Sequence, residues 1–108
     1  RHNIINVLIF IAMDVFLEEN CPHLIDAIKE CGYTFEDVKQ DPLYCLFGWN
    51  ADGPETFANQ YGKEIEAAIK FADDYVVDIT EFDLSTIEKK VGFALMYMAT
   101  ELATENYY

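Results

Sequence analysis

Cys21 and His23 stand two residues apart where a helix is expected to begin, the nearest this chain comes to placing a nucleophile beside a base. A helix N-terminus can lower a thiol pKa, but the same pattern suits an ordinary helix start, and the pair is assigned a structural role. A serine hydrolase is excluded more firmly, because Ser85 is the sole serine, sits in a capping position, and has only His2 and His23 to draw on as bases. Cys21, His23, Cys31 and Cys45 would make four zinc ligands, yet no C-x-x-C or H-x-x-x-H pair pins two of them on one turn. A di-metal carboxylate bundle needs two E-x-x-H pairs, and none occurs.

Segment 50–55, NADGPE, resembles a calcium loop only until Gly53 is set at the sixth position. Gly48 then falls first and Asn59 twelfth, where oxygen side chains and a bidentate Glu are required. Neither G-x-x-x-x-G-K nor G-x-G-x-x-G is present, and Lys89-Lys90 is the only adjacent basic pair, so nucleotide chemistry is not indicated. Paired carboxylates are assembled in space rather than in sequence, but a chain of 108 residues with no deep cleft expected is a poor host for them. No catalytic residue, metal or cofactor is assigned, and the chain is not expected to be an enzyme.

Composition narrows the partners. Twenty carboxylates against seven Lys plus Arg leave a net charge of −13, while 52% apolar and 15% aromatic residues are enough to build a core. A single acidic domain spanning residues 1–108 is expected. Direct binding to nucleic acid or to an anionic membrane is disfavoured, since Arg1 is the only arginine. Three cysteines cannot all pair with one another, which points to free thiols and a reducing, cytoplasmic setting. The apolar run at 4–17 is interrupted by Asn6 and Asp14 and is shorter than the roughly 20 residues of a bilayer span. It runs into Asp14, Glu18 and Glu19 without a small-x-small cleavage pattern, so no signal peptide is expected either.

The elements that must carry these residues read as helices. Residues 3–19 suit a helix capped by Asn3; their β-branched content also suits a buried strand, and length favours the helix. Pro22 opens a short helix with Leu24, Ile25, Ala27 and Ile28 on its core face, and Gly32 closes it. Thr34 with Asp37, and Asp41 before Pro42, cap two brief segments, and 49–54 is a loop. From Pro54, residues Phe57, Tyr61, Ile65, Ile69, Ala72 and Val76 keep one face of a long helix, with a bend admitted at Gly62. Residues 78–84 form a loop. Ser85 and Glu88 spell a capping box before a last helix marked by Ile87, Val91, Ala94, Leu95, Met98 and Leu102. The fold class is therefore all-α: a bundle of about five to six helices with the N- and C-terminal helices at its centre.

Acid is concentrated between residues 64 and 83, where seven carboxylates face Lys70 alone. Glu66, Asp73, Asp74, Asp78, Glu81 and Asp83 are assigned as the partner-binding edge, with Tyr75, Phe82 and Trp49 as candidate anchors. In size, acidity and helical content the chain is similar to bacterial immunity proteins that neutralise nuclease toxins. That resemblance is one of composition rather than motif, and it implies capture of a basic cognate toxin by masking its substrate-binding surface. Phage-type DNA mimics that block restriction or CRISPR enzymes share the composition. Glu55, Glu66 and Asp73, however, would lie about 16 Å and 10 Å apart along a helix, far sparser than duplex phosphates. A non-inhibitory adaptor module is the third reading.

Overall fold

Local caps and helically spaced apolar residues cut the chain into helices in the expected order. The computed structural model describes residues 15–105, and among these there is no strand. A helical segment at 15–20 (α1) is followed by α2 (Pro22–Glu30), α3 (Phe35–Gln40), α4 (Pro42–Phe47), α5 (Gly53–Tyr75), a 3-10 turn at Ile79–Glu81, and α6 (Ile87–Glu105). The all-α expectation holds. Most of the first expected helix, including Asn3 and Ile9, lies outside the described residues; within them, Leu17 is buried and Phe16 stacks on Phe71 at 4.4 Å.

The stop and start signals act as chemistry requires. Thr34 Oγ1 accepts from the Asp37 N–H (3.1 Å) while Asp37 Oδ2 accepts from the Thr34 N–H (3.4 Å), a reciprocal box that opens α3. Asp41 Oδ1 accepts from the Tyr44 N–H at 3.3 Å and opens α4. Gly48, at φ 58°, reverses the chain after α4. The opening of α6 differs by one residue from expectation: Thr86, not Ser85, caps it, its Oγ1 accepting from the Lys89 N–H at 3.2 Å. Ser85 instead donates its N–H to Asp83 (3.1 Å), which puts it one step outside the helix.

α6 is the central element. Val91, Phe93, Ala94, Leu95, Tyr97, Met98, Ala99 and Leu102 are all buried, and the helix touches α2, α3, α4 and α5. Ile87, expected on the same face, is largely exposed because it precedes the first full turn against the core. On α5, Ile65, Ile69 and Ala72 are buried as expected, Phe57 and Tyr61 are half-buried, and Val76 lies exposed just past the helix end. The bend in α5 falls at Tyr61 (φ −122°, ψ 30°), beside the glycine expected to permit it. Tyr61 is held there by rings on both sides, Phe57 at 5.0 Å and His23 at 4.9 Å.

Candidate functional site

The Cys21-His23 pair is spent on structure. Glu64, reaching from α5, accepts from the backbone N–H groups of His23 (2.8 Å) and Leu24 (3.3 Å) through Oε1. A carboxylate is an acceptor only, so His23 Nδ1 carries the hydrogen it shares with Oε2 at 2.6 Å. The Cys21 thiol donates to the Glu64 carbonyl oxygen at 3.3 Å. Burial, reinforced by the Glu64 charge, pushes the Cys21 thiol up to about 12, which is the opposite of activation. The Cys31 thiol donates within its own turn, to Ile28, and burial raises the Cys45 thiol as well. Among the described residues no three His, Cys, Asp or Glu side chains gather as a metal site would require, and no helix is long and apolar enough to cross a membrane.

One consequence is measurable. At pH 8 the half-buried Cys31 should react with a maleimide reagent first, and Cys21 more than about a hundredfold more slowly, because only thiolate attacks. Peptide mapping of the alkylated native protein would show it. Equal rates at Cys21 and Cys31 would mean that the thiol is neither buried nor hydrogen-bonded as described.

The six carboxylates of the expected acidic edge lie along α5, the 3-10 turn and the loop before α6, all exposed. Four of them are engaged inside the molecule. Glu66 pairs with Lys90 across α5 and α6 (3.4 Å), Asp74 with Lys70 one turn earlier (2.8 Å), and Asp83 with Lys89. Asp78 accepts from the hydroxyl (2.6 Å) and the N–H (3.0 Å) of Thr80 and so builds the 3-10 turn. The Lys89 ammonium, with Ser85, holds the Asp83 carboxyl well below the usual carboxylate range, and the Thr80 contacts lower Asp78. The Asp73 and Glu81 carboxylates make no ion pair or hydrogen bond with the described residues. The Lys89-Lys90 pair is thus an internal counter-charge to the edge.

A second surface combines charge with aromatic area. Trp49 is 92% exposed. Its indole and the Tyr44 ring make a T-shaped contact at 5.7 Å, and Tyr44 meets Tyr33 at 6.3 Å, so three exposed rings form a ridge from the α2–α3 connection across α4 into the following loop. The loop is well bonded: Gly48 N–H to Tyr44 O (2.8 Å), Asn50 N–H to Phe47 O (3.0 Å), Gly53 N–H to Asn50 O (3.2 Å), and Asp52 N–H to Asn50 Oδ1 (3.0 Å). Between residues 30 and 55 six carboxylates accompany Lys39 alone. Beside the ridge, Leu43, Phe47, Trp49, Asn50, Pro54 and Glu88 line a groove of about 270 Å³. A neighbouring groove of about 380 Å³ includes Glu55 and again Glu88.

The exposure of Trp49 was legible from its place in a polar loop. The alignment of Tyr33 with Tyr44 was not, because it depends on how the α2–α3 connection meets α4. Of the other candidate anchors, Phe82 leans on Phe93 (4.9 Å) and Tyr75 on Phe71 (4.8 Å), so each is partly committed to the core. No family model matches this chain, and comparison with curated proteins and with solved structures finds no match.

Proposed function

We propose that the chain is a binding module that captures a basic protein and masks that protein's working surface. The observation that carries this reading is the almost fully exposed Trp49 at the end of an aromatic ridge in a carboxylate-rich part of the surface. Exposure of so large an apolar ring on a well-bonded loop forgoes the burial that would stabilise this fold. Tryptophan and tyrosine are the side chains that most often dominate binding energy, since they bury large areas at little entropic cost. The net charge of −13 supplies long-range attraction for a cationic partner and repels nucleic acid and anionic lipid. A nuclease toxin fits within that partner class, because a surface that holds phosphates must itself be basic.

The test is inhibition of basic nuclease toxins by the purified chain. One cognate enzyme should be blocked at stoichiometric ratio, with association slowing as salt rises. Trp49→Ala should weaken inhibition by about thirtyfold, equivalent to about 2 kcal/mol. Comparable inhibition of several unrelated DNA-binding enzymes would instead mark a phosphate mimic. Inhibition undiminished in Trp49→Ala would remove the ridge from the interface and return attention to Asp73 and Glu81.

A further inference from the structure

We propose that the groove beside Trp49 is a receptor for a single arginine side chain of the partner; the proposal rests on the basic-partner reading and names the group recognised. The groove's walls come from three helices and one loop. Leu43 and Phe47 project from α4, Pro54 from the first turn of α5, Trp49 from the loop between them, and Glu88 from the first turn of α6. Gly53 makes the close approach possible, because a Cβ there would lie 2.8 Å from the Phe47 ring. At about 270 Å³ the space is below the range of roughly 300–1,000 Å³ typical of small-molecule pockets, and it suits one long side chain.

Its chemistry selects a cation with an apolar stem. Leu43, Phe47 and Pro54 offer contact for methylenes, Trp49 offers an indole face, and Glu88 offers a carboxylate. Glu88 makes no ion pair with the described residues, while its neighbour Lys89, which also lines the adjoining groove, has its charge paired with Asp83. Glu55, lining the adjoining groove, likewise has no ion pair among the described residues and adds a second negative charge. A planar guanidinium stacks on an aromatic ring, pairs bidentately with a carboxylate and sheds water more readily than an ammonium. Lysine would use the charge but neither the stacking nor the fork. The bonded loop holds the Trp49 backbone in place before binding, so only the side chain is left to order.

Trp49 is the sole tryptophan, so its fluorescence reports on this groove directly. The probe is a capped hexapeptide of alternating glycine and arginine, compared with peptides in which lysine, citrulline or leucine replaces arginine. The arginine peptide should change Trp49 emission and bind at least about fivefold more tightly than the lysine peptide, with the uncharged peptides much weaker. Glu88→Gln should weaken it about tenfold, as expected for loss of a charge-assisted bond. The double variant Asp73→Asn/Glu81→Gln should stay within about twofold, since those groups act only at a distance. Thermal melts of both variants check that the fold persists. Equal binding of arginine and lysine peptides, equal losses in both variants, or preference for the leucine peptide would each overturn the assignment. Arginine-selective quenching without inhibition of any basic protein would keep the groove and defeat the inhibitory reading. Inhibition of a basic protein with no effect of Glu88→Gln would do the reverse.

Discussion

Leu95→Ala should lower the free energy of unfolding by about 3 kcal/mol, with a shifted urea midpoint and an unchanged slope. Leu95 is fully buried on α6, the helix that touches α2, α3, α4 and α5. Truncation removes apolar burial and leaves a cavity. Four surrounding helices cannot collapse into it together, because each is also packed on another neighbour. Ile87→Ala on the same helix is the internal comparison: Ile87 is 47% exposed, and its loss should cost well under about 1 kcal/mol. If both substitutions cost the same, α6 would not be the central element of the bundle.

The difference between those two isoleucine and leucine positions also shows what the sequence could convey. Spacing put Ile87 and Leu95 on one face, and the face is right; depth along the helix is a property of neighbours that spacing does not contain. Thr34 and Asp37 were legible because a capping box is local, needing residues three apart and nothing else. Thr86 was missed in favour of Ser85 because only Ser85 has a Glu three residues on, Lys89 holding that place after Thr86, and the choice falls to Asp83, which engages the Ser85 N–H and Lys89. The bend at Tyr61 rather than at Gly62 is of the same kind: the glycine permits it, and ring contacts with His23 and Phe57 fix where it falls.

The acidic edge was legible as composition and not as geometry. Seven carboxylates against one lysine is a true count for residues 64–83, but Lys89 and Lys90 enter the same surface from α6, with Lys90 24 residues from Glu66. Asp78 holds the Thr80 turn through Oδ1 and keeps Oδ2 open, whereas Asp83 is bonded to Ser85 and paired with Lys89. Replacing Asp73, Asp74, Asp78, Glu81 and Asp83 together would therefore disturb the loop as well as the charge. Asp73→Asn/Glu81→Gln isolates the electrostatic contribution.

Glu64→Ala should destabilise the protein by about 2 kcal/mol, an effect that no local rule of sequence would assign to it. α2 begins at Pro22 after Cys21, and Cys21 supplies no side-chain cap. The first turn would leave its N–H groups without acceptors. Glu64, about 40 residues away and only 14% exposed, supplies the missing acceptor to His23 and Leu24 and places a negative charge at the positive end of the helix. The same residue holds His23 against Tyr61 at the α5 bend, so α2 and α5 are joined at one carboxylate. Glu64→Gln keeps an acceptor but loses the charge, and should cost about half as much. His23→Ala should cost less than about 1 kcal/mol, because the imidazole is more than half exposed and water competes for its bond to Glu64. Denaturation of the single and double variants gives the coupling, and amide exchange at His23 and Leu24 reports the cap directly. If His23→Ala reproduced the whole loss seen in Glu64→Ala, the carboxylate would be acting through the imidazole, and the backbone cap would contribute nothing.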